Sequence, residues 1–190
     1  MEPNKLKDKH EMYIRLALSE CIKLLRLISQ NLYKNEGYYF FPLFSIYFRQ
    51  LTYYFFDKSS PFISYEGSFT LDEHKKLSDM VDIRDANSHL NSEINLLNNG
   101  TMLFNSFSFT NNDVQIQFGK TKLFLLKEII PLYEKIRTVL SKIPELSRTS
   151  KHPMWKIEEK NILEIKEILV KNLANASEEL KKKRTSLLSY

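Results

Sequence analysis

Residues 38–57 read YYFFPLFSIYFRQLTYYFFD, the most apolar stretch of the chain. Its length would suit a membrane span, which needs about 20 apolar residues. Arg49, Gln50 and Thr52 stand near its centre, however, and Asp57 and Lys58 follow at once. A cation at mid-membrane is costly, whereas inside a protein it is tolerable if a partner satisfies it. The stretch is therefore expected to be a fully buried helix outside any membrane. It should start near Pro42, a residue tolerated in a first helical turn. Arg49 is expected to meet an internal acid, and the aromatic stripe to be core rather than a platform for stacking bases.

An aromatic helix needs partners on all sides, and the flanking sequence supplies them. From about Leu6 to Tyr33, Tyr13, Leu16, Ala17, Leu24, Leu25, Ile28 and Leu32 recur at helical spacing, with Gly37 beyond. On the other side SSPFISYEGS is a loop, and TLDE at Thr70–Glu73 has the form of a capping box. It opens a third helix carrying Leu71, Leu77, Met80, Val81 and Arg84 towards His89.

After NLLNNGT the period changes. Phe107 and Phe109, then Val114, Ile116 and Phe118, alternate with polar residues around TNND, predicting a β-hairpin over about residues 102–118. A fourth helix is expected from about Lys122 to Ile143, kinked at Pro131. PELSRTSKHP, residues 144–153, is a linker. In the last helix, within residues 154–190, Ile162, Ile165, Leu169, Leu173, Ala176 and Leu180 form a narrow stripe near heptad spacing. Such a stripe suits this chain's own bundle or a partner equally well. The expected fold is all-α: an up-and-down bundle of four to five helices over residues 1–143 and 154–190, with one small inserted hairpin.

Composition narrows the chemistry. Four glycines are too few for a loop-rich sandwich or a glycine-cradled nucleotide fold. The single cysteine, Cys21, excludes a disulfide framework within the chain and a cysteine zinc site, and among Leu18, Leu24 and Leu25 it suits a buried hydrophobe. FGKTK imitates a phosphate loop, but Val114 occupies the position where the second glycine is required. His10, His74, His89 and His152 lack metal-ligand spacing, and no GxSxG occurs. Neither a cofactor nor a metal is expected. The amino terminus MEPNKLKDKHEMY has no apolar signal core, so a cytoplasmic protein is expected. A net charge of +5 suits a polyanionic partner, although LKKKRTS is the only dense basic run and a solvated tail explains it as well.

The chemistry concentrates in RDANSH, Arg84–His89. Five positions on a straight helix turn the side chain by about 140°, so Arg84 and His89 do not stack on one face. They meet if arginine reaches round, if the helix bends, or if a second chain contributes. Asp85 and His89 do share a face, as do Arg84 and Ser88, each pair being four apart. A carboxylate there orients an imidazole and favours its charged form. These residue types suit RNA cleavage without metal: a histidine moves the proton of a 2′-hydroxyl or of the leaving oxygen, and an arginine holds the phosphate.

An arginine, an acid or amide, a short gap and a histidine, on a late helix of a small helical bundle, resembles the HEPN superfamily and its R-x(4–6)-H signature. The resemblance rests on these six residues and their setting. It implies a metal-independent ribonuclease of toxin or antiviral defence type, with Arg84 and His89 catalytic and Asp85, Asn87 and Ser88 supporting. It further implies RNA as substrate, a homodimer that lines one cleft with two motifs, and a cognate inhibitor protein. Some such toxins carry a tyrosine two residues past the histidine that is modified with AMP; Asn91 stands there in this chain. Two other readings remain beside this one. In the first, Arg84 pairs with Asp79, Asp82 or Asp85 and His89 merely ends a helix. In the second, a non-catalytic module, including an antitoxin or immunity protein, binds RNA or protein through the basic C-terminal helix.

Overall fold

The computed structural model describes residues 3–32, 37–58, 60, 63–88, 106–110, 112–118, 121–143 and 160–175. Helix α1, Pro3–Gln30, packs on α2, Gly37–Phe56, and α2 packs on α3, Leu71–Ser88. A three-stranded antiparallel sheet follows: β1 Ser106–Phe109, β2 Val114–Phe118 and β3 Thr121–Phe124, in that spatial order. A π-helical turn, Leu125–Ile129, leads into α4, Ile130–Ser141, and residues 160–175 form α5. The fold is an all-α bundle with a small sheet inserted between α3 and α4.

Helix α2 resolves its polar residues by facing. Phe41, Phe44, Phe48, Leu51 and Phe55 are fully buried, and their alternating steps of three and four keep them on one stripe. Tyr39 and Leu43 face outward at 72% and 50% exposure, so the helix is not buried all round as expected. It also begins one turn earlier than expected, at Gly37, leaving Pro42 inside the helix. Ser45 and Thr52, both buried, donate their hydroxyls to the carbonyls of Pro42 and Arg49 at 2.7 and 2.9 Å. Such local bonds let hydroxyl side chains sit in an apolar helix. No helix among the described residues is long and apolar enough to cross a membrane.

The capping box at the start of α3 is formed in both directions. The Thr70 amide donates to Glu73 Oε2 at 2.7 Å, and the Glu73 amide donates to Thr70 Oγ1 at 3.2 Å. Thr70→Ala removes one half of it and is expected to lower stability by about 1 kcal/mol. A urea titration checks this, and an unchanged midpoint would refute it.

The sheet departs from expectation. Phe107 pairs with Ile116 and Phe109 with Val114, as the alternation requires, but Ile116 also pairs with Leu123 on a third strand. Residues 121–124 therefore extend the hairpin, and the fourth helix starts eight residues later than expected. Its leucines fit both periods, Leu123 and Leu125 at a strand's spacing of two and Leu123 and Leu126 at a helix's spacing of three, so sequence leaves the choice open. Tertiary contact settles it: the open edge of β2 takes Thr121–Phe124 as a further strand. Pro131 accordingly falls in the first turn of α4, where no amide is needed, and not at an internal kink. Gly119 of FGKTK and the linker 144–153 lie outside the described residues.

Helix α5 docks on this chain's own core. Ile162, Ile165, Leu169 and Leu173 are buried, while Leu163 and Val170 face out. Arg26 of α1 donates to Asn161 Oδ1 at 3.0 Å and to Glu164 Oε2 at 2.5 Å. Lys166 donates to both carboxylate oxygens of Glu134 on α4, at 2.7 and 2.8 Å. Asn172 donates to the Ser29 carbonyl at 2.6 Å, supplying a partner to one of the orphan carbonyls in the last turn of α1. Ala176, Leu180 and the basic run lie outside the described residues. Cys21 is buried in the same core, as its neighbours predict.

Candidate functional site

Helix α2 presents a second face beside its phenylalanine stripe. Ile46, Arg49, Gln50, Tyr53 and Tyr54 follow helical spacing and line an open cavity of about 350 Å³. Tyr13 of α1 and Arg84 of α3 close it from either side. The place of Arg84 follows from its own helix. Leu77 and Met80 are buried, and Arg84, seven and four residues further on, continues their stripe. A cation thus stands where an apolar residue would otherwise extend the core. Ile83 is buried beside it and anchors that turn.

The two guanidiniums reach the same cavity from different helices, and none of the described lining residues is acidic. The expected internal partner for Arg49 is not found: among the described residues no carboxylate forms an ion pair with it. Arg49 is half-buried at the cavity wall rather than enclosed in the core. Tyr54 is packed edge-on against His10, with ring centroids 5.6 Å apart, and its hydroxyl lies 3.4 Å from His10 Nδ1. Burial pushes the Tyr54 phenol up from its ordinary range, and neighbouring Tyr53 and Tyr13 add to this. It keeps its proton at neutral pH and serves as a donor. Two arginines, a phenol and the Gln50 amide line it together, a set of donors of the kind that recognises phosphate or carboxylate.

A second cavity of about 300 Å³ lies between α2 and α3, and Arg49 lines it too. Thr52, Phe56 and Asp57 contribute from the α2 side, and His74, Leu77, Ser78 and Val81 from α3. The His74 ring is held edge-on against Phe56 at 4.8 Å and Phe69 at 6.1 Å.

Of the residues singled out in RDANSH, Arg84 is thus placed at a cavity. Asp85, Asn87 and Ser88 form the last turn of α3, but their side chains lie outside the described residues, and so does His89. The lining tyrosines and His10 escape sequence reading because each is an ordinary member of an amphipathic helix. Arg49 alone carried a signal, as a cation in an aromatic run. Among the described residues no three His, Cys, Asp or Glu side chains converge as metal ligands would.

Five residues before Arg84, Asp79 carries a perturbed charge. Burial pushes its carboxyl above the ordinary value of 3.8; Lys75 opposes this, and Asp82 and Glu128 add to it. A carboxyl raised on folding favours the folded state most when protonated, so its contribution is lost as pH rises through the raised value. Asp79→Asn is therefore expected to melt higher than wild type at pH 7, with the gain closing as pH falls towards about 4. Thermal melts across that range check it; equal melting at pH 7 would sink it.

The fold and this site define a helical bundle with a two-arginine cavity open to solvent. Compared with protein-family models, curated proteins and solved structures, the chain matches none.

Proposed function

We propose that the chain is a metal-independent endoribonuclease of HEPN type, acting as a toxin or antiviral defence effector. The observation that carries this reading is the position of Arg84. The first residue of R-x(4)-H lines an open cavity with a second guanidinium and three tyrosines, and no acid is among the described lining residues.

In the proposed reaction the substrate's own 2′-oxygen attacks the adjacent phosphorus and the bond from phosphorus to the 5′-oxygen breaks. His89, from this chain or a second copy, takes the 2′-hydroxyl proton, and a proton passes to the departing 5′-oxygen. Arg84 holds the non-bridging oxygens as their charge grows. The products are a 2′,3′-cyclic phosphate and a 5′-hydroxyl. A homodimer bringing two RDANSH segments together, and a cognate inhibitor protein, belong to the same proposal.

The test is cleavage of total RNA and tRNA in EDTA by wild type, Arg84→Ala and His89→Ala, with circular dichroism confirming that all three fold. Cleavage by wild type alone, leaving cyclic phosphate ends, supports the reading. No cleavage, or equal cleavage by His89→Ala, overturns it. The alternative of binding through the C-terminal helix needs a gentler test than deletion, since Ile162, Ile165, Leu169 and Leu173 belong to the core. Replacing only Lys181, Lys182, Lys183 and Arg184 by Ser or Gln separates the two.

A further inference from the structure

We propose that Arg49 is a substrate-positioning residue that seats an RNA strand across the two cavities. The first cavity would hold phosphate and the second the neighbouring nucleoside. The inference rests on the ribonuclease reading of the first cavity and adds to it a residue, and a second subsite, outside the R-x(4)-H segment.

Three observations carry it. Arg49 lines both cavities, so one residue belongs to the wall of each. A guanidinium presents five donors in a planar fork and can bond a phosphate on one edge while facing a second group on another. The cavities also differ in charge. The described lining of the first has two guanidiniums and no acid, which favours a phosphate. The second includes Asp57, which disfavours one, together with the Phe56 and His74 rings and the exposed Ser78 hydroxyl. A nucleoside has the matching chemistry, with flat faces for the rings and polar edges for the hydroxyl. Finally, volumes of about 350 and 300 Å³ each stand near the lower end for small-ligand sites, the scale of one nucleotide unit rather than of a duplex.

The experiment measures binding of a short 2′-O-methyl RNA, which lacks the attacking hydroxyl and stays intact, by fluorescence anisotropy in EDTA across a salt series. Wild type, Arg49→Ala, Arg49→Lys and Ser78→Trp are compared. Arg49→Ala should weaken binding about tenfold or more and lower the salt slope by about one, with Arg49→Lys recovering much of the slope. Ser78 is exposed, so Ser78→Trp fills the second cavity without disturbing the core. It should weaken the oligonucleotide about tenfold, yet leave competition by inorganic phosphate unchanged, whereas Arg49→Ala should weaken phosphate as well. Wild-type binding by Arg49→Ala, by Arg49→Lys and Arg49→Gln should the alanine protein not fold, or by Ser78→Trp, overturns the two-subsite proposal. So does failure of wild type to bind the oligonucleotide. If RNA is never cut but binding depends on Arg49 and Ser78 as described, the ribonuclease reading fails and the strand site stands.

Discussion

Asp113→Ala is expected to lower the stability of the chain by about 3 kcal/mol, a large share of the 5–15 kcal/mol typical of a domain. Asp113 is fully buried at the end of the turn between β1 and β2. Its Oδ1 accepts the amides of Val114 at 2.7 Å and Leu126 at 2.8 Å, and its Oδ2 accepts the Lys127 amide at 3.0 Å. The last two open the π-helical turn before α4, whose first amides have no partner within the helix. One carboxylate therefore caps a helix that begins twelve residues further on, and fastens it to the sheet. Glu128 adds a second tie, accepting the Phe124 amide at 2.9 Å. Alanine leaves all three amides without their acceptor, and each such loss costs about 1 kcal/mol or more where water does not replace it. Asn keeps one oxygen but turns an amino group towards a donor, so Asp113→Asn should fall between. Urea unfolding measures both. An alanine protein with the wild-type midpoint and slope would show that the carboxylate is not a structural cap.

Arg84→Ala should reduce cleavage by about a hundredfold or more, the loss seen when a donor to a developing oxyanion is removed, or about 2.7 kcal/mol of barrier. Arg84→Lys retains charge but not the planar fork, so it should recover binding better than turnover. KM would then approach the wild-type value while kcat stays low, because the second hydrogen bond matters most as charge accumulates. Both variants should keep the fold, since Arg84 lines an open cavity and the buried Met80 and Ile83 of the same helix are unchanged. Loss of folding without Arg84 would instead assign it a structural role. Equal cleavage by the folded alanine protein would remove it from the reaction.

Much of the bundle was legible because local chemistry repeats. The apolar spacing of α5 and most of that of α1 shows which side turns inward, although Tyr13 and Leu16 of the expected α1 stripe are exposed, and TLDE marks the start of α3 through bonds made within four residues. The alternation around TNND shows a hairpin for the same reason. RDANSH, too, stands out as polar residues on a helix that is otherwise partly apolar.

What lies opposite a given face is not written locally. Thr121–Phe124 becomes a strand because β2 offers an unpaired edge, although its leucines suit a helix as well. Asp113 looks like an ordinary turn residue until residues 126 and 127 are brought to its carboxylate. The stripe of α5 fits any apolar surface, and it is Arg26, Ser29 and Glu134, more than a hundred residues away in the first two cases, that hold it to this chain. Arg49 and Arg84 share a cavity only because α2 and α3 pack with those two faces together. Sequence by itself thus determined that the chain is a helical bundle with a hairpin, the inward stripe of α5 and the arginine that begins the motif, since these depend on spacing along one segment. The third strand, the distant cap and the pairing of two arginines were decided by tertiary structure, since they depend on which surfaces meet when the core closes.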